Sequence, residues 1–463
     1  MQTEVAVVDA AELRGGEAST SGRDEAPRRH PVIARAAALL AAGEVVAIPT
    51  ETVYGLAANA LSASAVSKIY AAKNRPADNP LIVHVSSLAM LASLYPPGWS
   101  LPAIYTAAVA ELWPGPLTIL LPRSPLVPDA VTCGMPTMAV RMPAHPLALA
   151  LIAACGFPLA APSANSSGRP SPTLARHVLS DLDGRIPLVL DGGPCTCGLE
   201  STVLDGLRSP PAILRPGGVT AERLASYPGL SGLQVYRRDF VDAALEAAPT
   251  TPGMKYRHYS PSAPVLLLDP GDARPAGGTA SGADSGAAGS GDGSTGMNFS
   301  ASAAAEDDAC LAARLRSAAA ALLAELAAER SAAAATATTT AAVEGTAGRE
   351  GTAPSGRWTV GVLRTTVAGA PSGPLPSQPS AISGCGTAPA DAPPAALGGV
   401  AVMEYVLGHV SRPEAVASEL FAGLRHMDEL GVGAIVVEGV RDAGAGTAVM
   451  NRLRKAASRV VRV

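Results

Sequence analysis

Between residues 31 and 233, short apolar runs alternate with segments of helical spacing. Residues 44–49 (EVVAIP), 81–85 (LIVHV), 117–121, 138–142, 159–161, 188–190, 202–204 and 213–214 read as buried strands. Residues 62–73 put Ala65, Ile69 and Ala72 on one helical face, and further helices are predicted at 102–113, 146–155 and 173–179. The mixture predicts an α/β domain with a large, twisted, mixed sheet. A second alternation runs over residues 263–463. Its predicted strands are 265–269 (VLLLD), 359–363, 400–405 and 435–437, and its predicted helices are 309–330, 413–430 and 450–458. This succession predicts a smaller, Rossmann-like parallel layer. No GxGxxG follows its first strand, so it is not assigned a dinucleotide.

The predicted organisation is therefore a lead-in at 1–30, a first domain at 31–240, a linker at 241–262 and a second domain at 263–463. Three stretches of the second domain, about 271–302, 332–357 and 368–398, are rich in Gly, Ala, Ser, Thr and Pro and lack apolar periodicity. They are predicted to be disordered insertions. Surface insertions cost little, because loop-closure entropy grows only logarithmically with length.

Composition narrows the chemistry. Apolar residues make up 48% of the 463 residues, and the net charge is −4. No global basic field advertises nucleic-acid binding, so an anion site must come from a few placed residues. Six cysteines, with Cys195 and Cys197 as a CxC pair and no second pair at zinc-site spacing, predict neither a disulfide scaffold nor a metal site. No apolar run approaches the ~20 residues of a membrane helix. Residues 1–30 hold six acids, against the character of transit and signal peptides. They read as disordered, and a cytoplasmic location is expected.

Rare residue types mark the candidate site. The chain has four lysines and six asparagines, yet Lys73, Asn74 and Asn79 fall within seven residues, beside Arg75. Lys73 and Arg75 either converge on a phosphate chain, the fork and the point charge together, or form a helix C-cap. Thr50, Glu51, Thr52 and Gly55 directly follow a strand and suit either a small polar ligand or a helix start. Residues 161–173 (APSANSSGRPSPT) offer small residues through which backbone amides approach phosphate, with Ser163 and Asn165 on one side of an extended segment. No GxxxxGK[ST] occurs in the chain, which excludes a Walker A loop. Arg141 and Arg215 sit at strand ends in apolar surroundings, so each should face an anion, either a carboxylate side chain or a ligand.

The segments PTETVYGL, KNRPADNPLIVHV, WPGPLT, AVRMP, APSANSSGRPSPT, ESTVLD and ILRPG occur in that order. Together they resemble the YrdC/Sua-five family of threonylcarbamoyl-AMP synthases over about residues 31–233. PGMKYRHYSP at 252–261 and the α/β unit after it resemble the two-domain Sua-five branch. The resemblance implies a nucleotidyltransferase that joins bicarbonate to the amine of L-threonine and adenylates the carbamate with ATP, releasing pyrophosphate. Its product would pass to the machinery that makes N6-threonylcarbamoyladenosine in tRNA. It implies Lys73, Arg75 and Asn79 at the ATP phosphates and Thr137, Ser163, Ser171 and Arg215 at further nucleotide positions. Asn165 completes the Ser-Ala-Asn signature, so that Lys73, Arg75, Ser163 and Asn165 form the catalytic set. Thr52, His84, Arg141 and Ser201 would surround threonine, with Ala161 contributing backbone; His84 also reads as a packed strand histidine. Tyr259, or else Tyr256, would fold over the nucleotide as a lid that excludes water. Mg2+ is expected to arrive with ATP, held by phosphates and water.

Two rival readings remain. One is a tRNA- or double-stranded-RNA-binding module without adenylation. Residues 31–262 carry 16 Lys+Arg against 14 Asp+Glu, a surplus of two that supports only weak backbone contact. The other is carbamoyl transfer of the hydrogenase-maturation kind, whose acylphosphatase-like and zinc-finger parts have no counterpart in this sequence.

Overall fold

The computed structural model describes residues 2–9, 11–13, 30–237, 239–242, 245, 250, 258–271, 301–343, 358–365, 396–397 and 400–463. In the first domain the strands are β1 (Glu4–Val7), β2 (Val46–Ile48), β3 (Gly55–Asn59), β4 (Ile82–His84), β5 (Leu117–Pro122), β6 (Thr137–Arg141), β7 (Leu159–Ala160), β8 (Leu188–Asp191), β9 (Thr202–Asp205), β10 (Ala212–Arg215) and β11 (Gln234–Val235). They form one sheet in the order β1-β8-β2-β3-β7-β4-β6-β5-β9-β10-β11. Parallel pairs such as β4 with β6 alternate with antiparallel ones such as β5 with β6, so the expected large mixed sheet is present. Helices Ala63–Lys73, Ala103–Leu112, Pro146–Cys155 and Ala175–Leu182 pack on it. The helix Ala63–Lys73 starts where the Ser62 hydroxyl accepts the Ala65 N–H at 3.3 Å. It stops at Asn74, which turns left-handed at φ 49° and sends the chain into the Lys73–Pro80 loop.

The second domain has strands β12 (Val265–Asp269), β13 (Trp358–Arg364), β14 (Ala396–Leu397), β15 (Val400–Val406), β16 (Ala434–Glu438) and β17 (Arg459–Arg462), ordered β14-β15-β13-β16-β12-β17. All neighbours are parallel except β14 with β15. This is the expected Rossmann-like layer. The helix Pro413–Glu429 buries Val416, Leu420, Phe421 and Leu424, and the helix Ala445–Ala456 buries Val449, Met450 and Leu453. Among the described residues no helix is long and apolar enough to cross a membrane.

Three expectations need correction. Residues 1–30 are not all disordered: Glu4–Val7 pairs in parallel with β8, and the buried Thr3 hydroxyl donates to the Ile186 carbonyl at 2.8 Å. The local run EVAVV has β-branched character that the acid count of the whole segment hides. The stretch 332–357 is not wholly disordered, because the helix Ala301–Val343 runs into it. Alanine has the highest helix propensity and extends a helix without apolar periodicity. Within 368–398, Ala396–Leu397 forms the short edge strand β14. Tyr256 and most of 271–302 lie outside the described residues.

Candidate active site

A cleft enclosing about 680 Å³, its open mouth included, lies at the ends of the central strands. Its walls bring together Thr52, Lys73, Arg75, His84, Arg141, Ala161, Ser163, Asn165, Ser171, Ser201, Arg215 and Tyr259. Segments far apart in sequence meet here because β4 and β6 run side by side, with His84 and Arg141 as register partners. The loop after β7 lies back along β3: Leu56 N–H donates to the Pro162 carbonyl at 2.8 Å and Ala164 N–H to the Tyr54 carbonyl at 2.7 Å. That approach needs a small residue at Gly55, where a Cβ would sit 3.3 Å from Ala161 Cβ.

Lys73 is buried, and its ammonium donates to the carbonyls of Ser163 and Asn165. It therefore holds the Ser-Ala-Asn segment in place and keeps one N–H beyond those two bonds. Burial, with Arg75 nearby, holds its pKa well below the lysine range. Arg75 is half-buried; Nε donates to the Asn79 carbonyl and Nη2 to the Pro80 carbonyl, both at 3.0 Å. Burial lowers its pKa to about 10. Asn165 Nδ2 donates to the Ser166 and Arg169 carbonyls, while its Oδ1 is buried without a hydrogen-bond partner among the described residues.

At the other end, Arg141 donates to Thr52 Oγ1 at 2.8 Å and to the Gly115 carbonyl at 3.1 Å. Its Nη2 lies 2.6 Å from Glu51 Oε1, an ion pair lacking hydrogen-bond geometry. The anion that faces Arg141 in the protein alone is thus a side-chain carboxylate. His84 is pushed down to about 3 by burial and by Arg141, so its imidazole is neutral. Arg215 Nη2 donates to the Ser201 carbonyl at 3.0 Å, and Ser201 Oγ is 2.7 Å from Thr118 Oγ1.

Charge decides what the cleft can hold. Lys73, Arg75, Arg141, Arg169 and Arg215 line it against one lining carboxylate, Glu200. Glu200 is engaged: Oε1 accepts the Ser171 hydroxyl at 2.6 Å, and Oε2 lies 3.1 Å from Arg452 Nε. Arg141 pairs with Glu51 and Arg169 with Asp181 and Asp428, so the surplus that favours a polyanion rests on Lys73, Arg75 and Arg215. Burial alone would raise Glu200, but Arg452 and Arg215 outweigh it and hold its pKa at about 2. A depressed carboxyl pKa stabilises the fold above its unfolded value of 4.5, and that stabilisation is lost as pH falls towards 2. Glu200→Gln should therefore destabilise the chain at pH 7 by a few kcal/mol, on the order of 1.4 kcal/mol per pKa unit. Urea midpoints at pH 7, 4 and 2.5 check this; a mutant gap that does not shrink with acid refutes it.

Two family models divide the chain: residues 38–217 match the Sua5–YciO–YrdC model, described as telomere recombination, and residues 219–458 match the threonylcarbamoyl-AMP synthase C-terminal domain. This chain belongs to the two-domain Sua5 branch of the YrdC family. A threonylcarbamoyl-AMP synthase of Schizosaccharomyces pombe is 54% identical over 244 residues, 48% of this chain and 60% of its own length. The aligned stretch thus spans less than two thirds of that relative. The Bacillus subtilis threonylcarbamoyl-AMP synthase is 50% identical over 250 residues, 53% of this chain and 69% of its own length. The crystal structure of P. abyssi Sua5 complexed with L-threonine superposes with TM-score 0.64 at 32% identity, covering 100% of both chains.

Two of the residues singled out from the sequence do not line the cleft of this Sua5-family chain. Asn79 is buried behind Arg75 and reaches it through its carbonyl. Thr137 opens β6, four residues and so about 13 Å along the strand from Arg141. Sequence reasoning missed the residues that the second domain delivers. Arg425 donates to the Pro170 carbonyl at 3.1 Å and to Asp181 Oδ2 at 2.8 Å. Arg169 bridges Asp181 and Asp428, at 2.8 and 2.7 Å. Tyr259 packs on Phe421 with ring centroids 5.2 Å apart, so the second domain seats the linker tyrosine over the cleft. A readable signal existed: Arg425 follows Phe421 by four, and Arg452 follows Val449 by three, so both arginines lie on apolar helix faces.

Proposed function

We propose that the chain makes threonylcarbamoyl-AMP from ATP, L-threonine and bicarbonate. The observation that carries this reading is one cleft joining the cationic Lys73–Arg75 loop to the Arg141–Thr52–His84 pocket. The relatives named threonylcarbamoyl-AMP synthase, and the L-threonine complex of P. abyssi Sua5, support it. Threonine's carboxylate takes the place of Glu51 on Arg141, and Thr52 meets the polar end of the same amino acid. Its amine nitrogen forms a C–N bond with bicarbonate carbon, and water leaves. A carbamate oxygen then attacks the α-phosphorus of ATP, and the bond to the β-phosphate oxygen breaks, expelling pyrophosphate. This chemistry needs positioning and charge neutralisation rather than a nucleophilic side chain. Lys73 and Arg75 hold the triphosphate, and the Ser163–Asn165 segment orients it. Glu200 is not free to coordinate a metal, since it pairs with Arg452 and accepts the Ser171 hydroxyl. Mg2+ would come with ATP, held by its phosphates and water, and would help neutralise the phosphate charge that Lys73 and Arg75 face. Tyr259 closes over the nucleotide and keeps water from the labile adenylate. The product then serves tRNA modification in the cytoplasm.

The test is mass spectrometry of a reaction containing 13C-bicarbonate, ATP and L-threonine. The expected product is an adenylate of threonine carrying the label, with pyrophosphate release that requires all three substrates. Pyrophosphate release unchanged when threonine is omitted would sink the proposal.

A further inference from the structure

The nucleotide loop is tied to the second domain at its deepest point. Arg452, on the helix Ala445–Ala456, is fully buried, with Nε 3.1 Å from Glu200 Oε2 and Nη1 donating to the Pro216 carbonyl. Across the carboxylate, Glu200 Oε1 receives the Ser171 hydroxyl proton at 2.6 Å. An ionised carboxylate only accepts hydrogen bonds, and a serine hydroxyl has one proton. With that proton committed, Ser171 can offer a ligand nothing but lone pairs. The oxygens of an ionised phosphate are acceptors too, so they make no hydrogen bond with Ser171. The donors of ATP are its ribose hydroxyls and its adenine amino group. We propose that Ser171 is a hydrogen-bond acceptor for the nucleoside part of ATP, and that Arg452 is the positioning residue that sets this polarity through Glu200. The inference rests on reading the cleft as a nucleotide site.

Arg452 is required because Glu200 is a buried carboxylate in the wall of a cleft proposed to take a polyanion. Unpaired, the carboxylate would repel phosphate or take up a proton, and a protonated Glu200 would no longer hold the Ser171 proton. Charge and shape both matter, since the guanidinium must reach Glu200 and Pro216 at once, a geometry that lysine meets only in part.

Calorimetric titration of the full chain with ATP, 2′-deoxy-ATP, 3′-deoxy-ATP and inosine triphosphate tests this without relying on turnover. The wild type should bind at least one analogue roughly tenfold more weakly than ATP, the penalty of leaving one buried acceptor unmatched. A deoxy analogue identifies the ribose, and inosine triphosphate identifies the amino group. Ser171→Ala and Arg452→Met should both bring that ratio to within about twofold of unity while leaving threonine affinity unchanged, and Arg452→Lys should restore part of it. An unaltered ratio in Ser171→Ala overturns the proposal, as does an Arg452→Met effect equal on ATP and threonine, or failure of the wild type to bind ATP. Discrimination by ATP binding without threonine-dependent pyrophosphate release would instead leave this inference standing and defeat the proposed activity.

Discussion

Lys73→Ala lowers kcat/KM for threonine-dependent pyrophosphate release by about 10³-fold or more, on the scale of lost preorganised donors in charged sites. Two effects combine. The ammonium no longer neutralises phosphate, and the Ser163 and Asn165 carbonyls lose their buried donor. Each orphaned carbonyl costs about 1–3 kcal/mol, so the loop that orients the nucleotide shifts as the charge disappears. Arg75→Ala should be comparably damaging, because the guanidinium also fixes the carbonyls of Asn79 and Pro80 at the loop's far end. Both variants should keep wild-type circular dichroism, since neither side chain belongs to an apolar core. Near-normal rates in both would mean that the triphosphate lies elsewhere.

Asp181→Ala has the largest expected effect on stability. The Asp181 side chain is fully buried and holds Arg425 and Arg169 at 2.8 Å each, while accepting the Ser166 N–H at 3.2 Å. Arg425 is itself only 2% exposed. Alanine would leave the buried Arg425 guanidinium in the domain interface without its carboxylate, while Arg169 would keep only Asp428. Breaking a buried pair in this way costs about 3–5 kcal/mol. For a chain of this size that is a fall in melting temperature of roughly 3–5 °C. Differential scanning calorimetry at pH 7 measures it, and a shift below about 2 °C would show that the interface does not depend on this carboxylate. If the proposed function holds, ATP affinity should drop in the same variant, because Arg425 and Asp181 hold Pro170 and Ser166 of the cleft loop.

The fold was most legible where apolar spacing was regular. The helix Pro146–Cys155 was readable to the residue, since proline opens it and a left-handed Gly156 ends it. β3 was not legible, because GLAAN lacks both alternation and branched side chains and is a strand only by virtue of β2 and β7 on either side. β17 was missed because RVVR is short and charged at both ends. In the site, Lys73, Arg75, Asn165 and Ser163 stood out as rare types clustered in motifs. Their partners did not. Whether Arg141 faces Glu51 or a ligand depends on strand register and not on sequence neighbourhood. Asp181 and Arg425 are separated by 244 residues, and Glu200 and Arg452 by 252, beyond any local pattern.

The pairing of Glu4–Val7 with Leu188–Asp191 has a practical side. That short segment hems the margin of an eleven-stranded sheet, and without it β8 would present a ladder of unpaired amides and carbonyls to the solvent. Versions of the chain trimmed to begin at the helix Pro31–Ala41 would keep every group in the cleft, yet they would offer neighbouring molecules a template for sheet-to-sheet association.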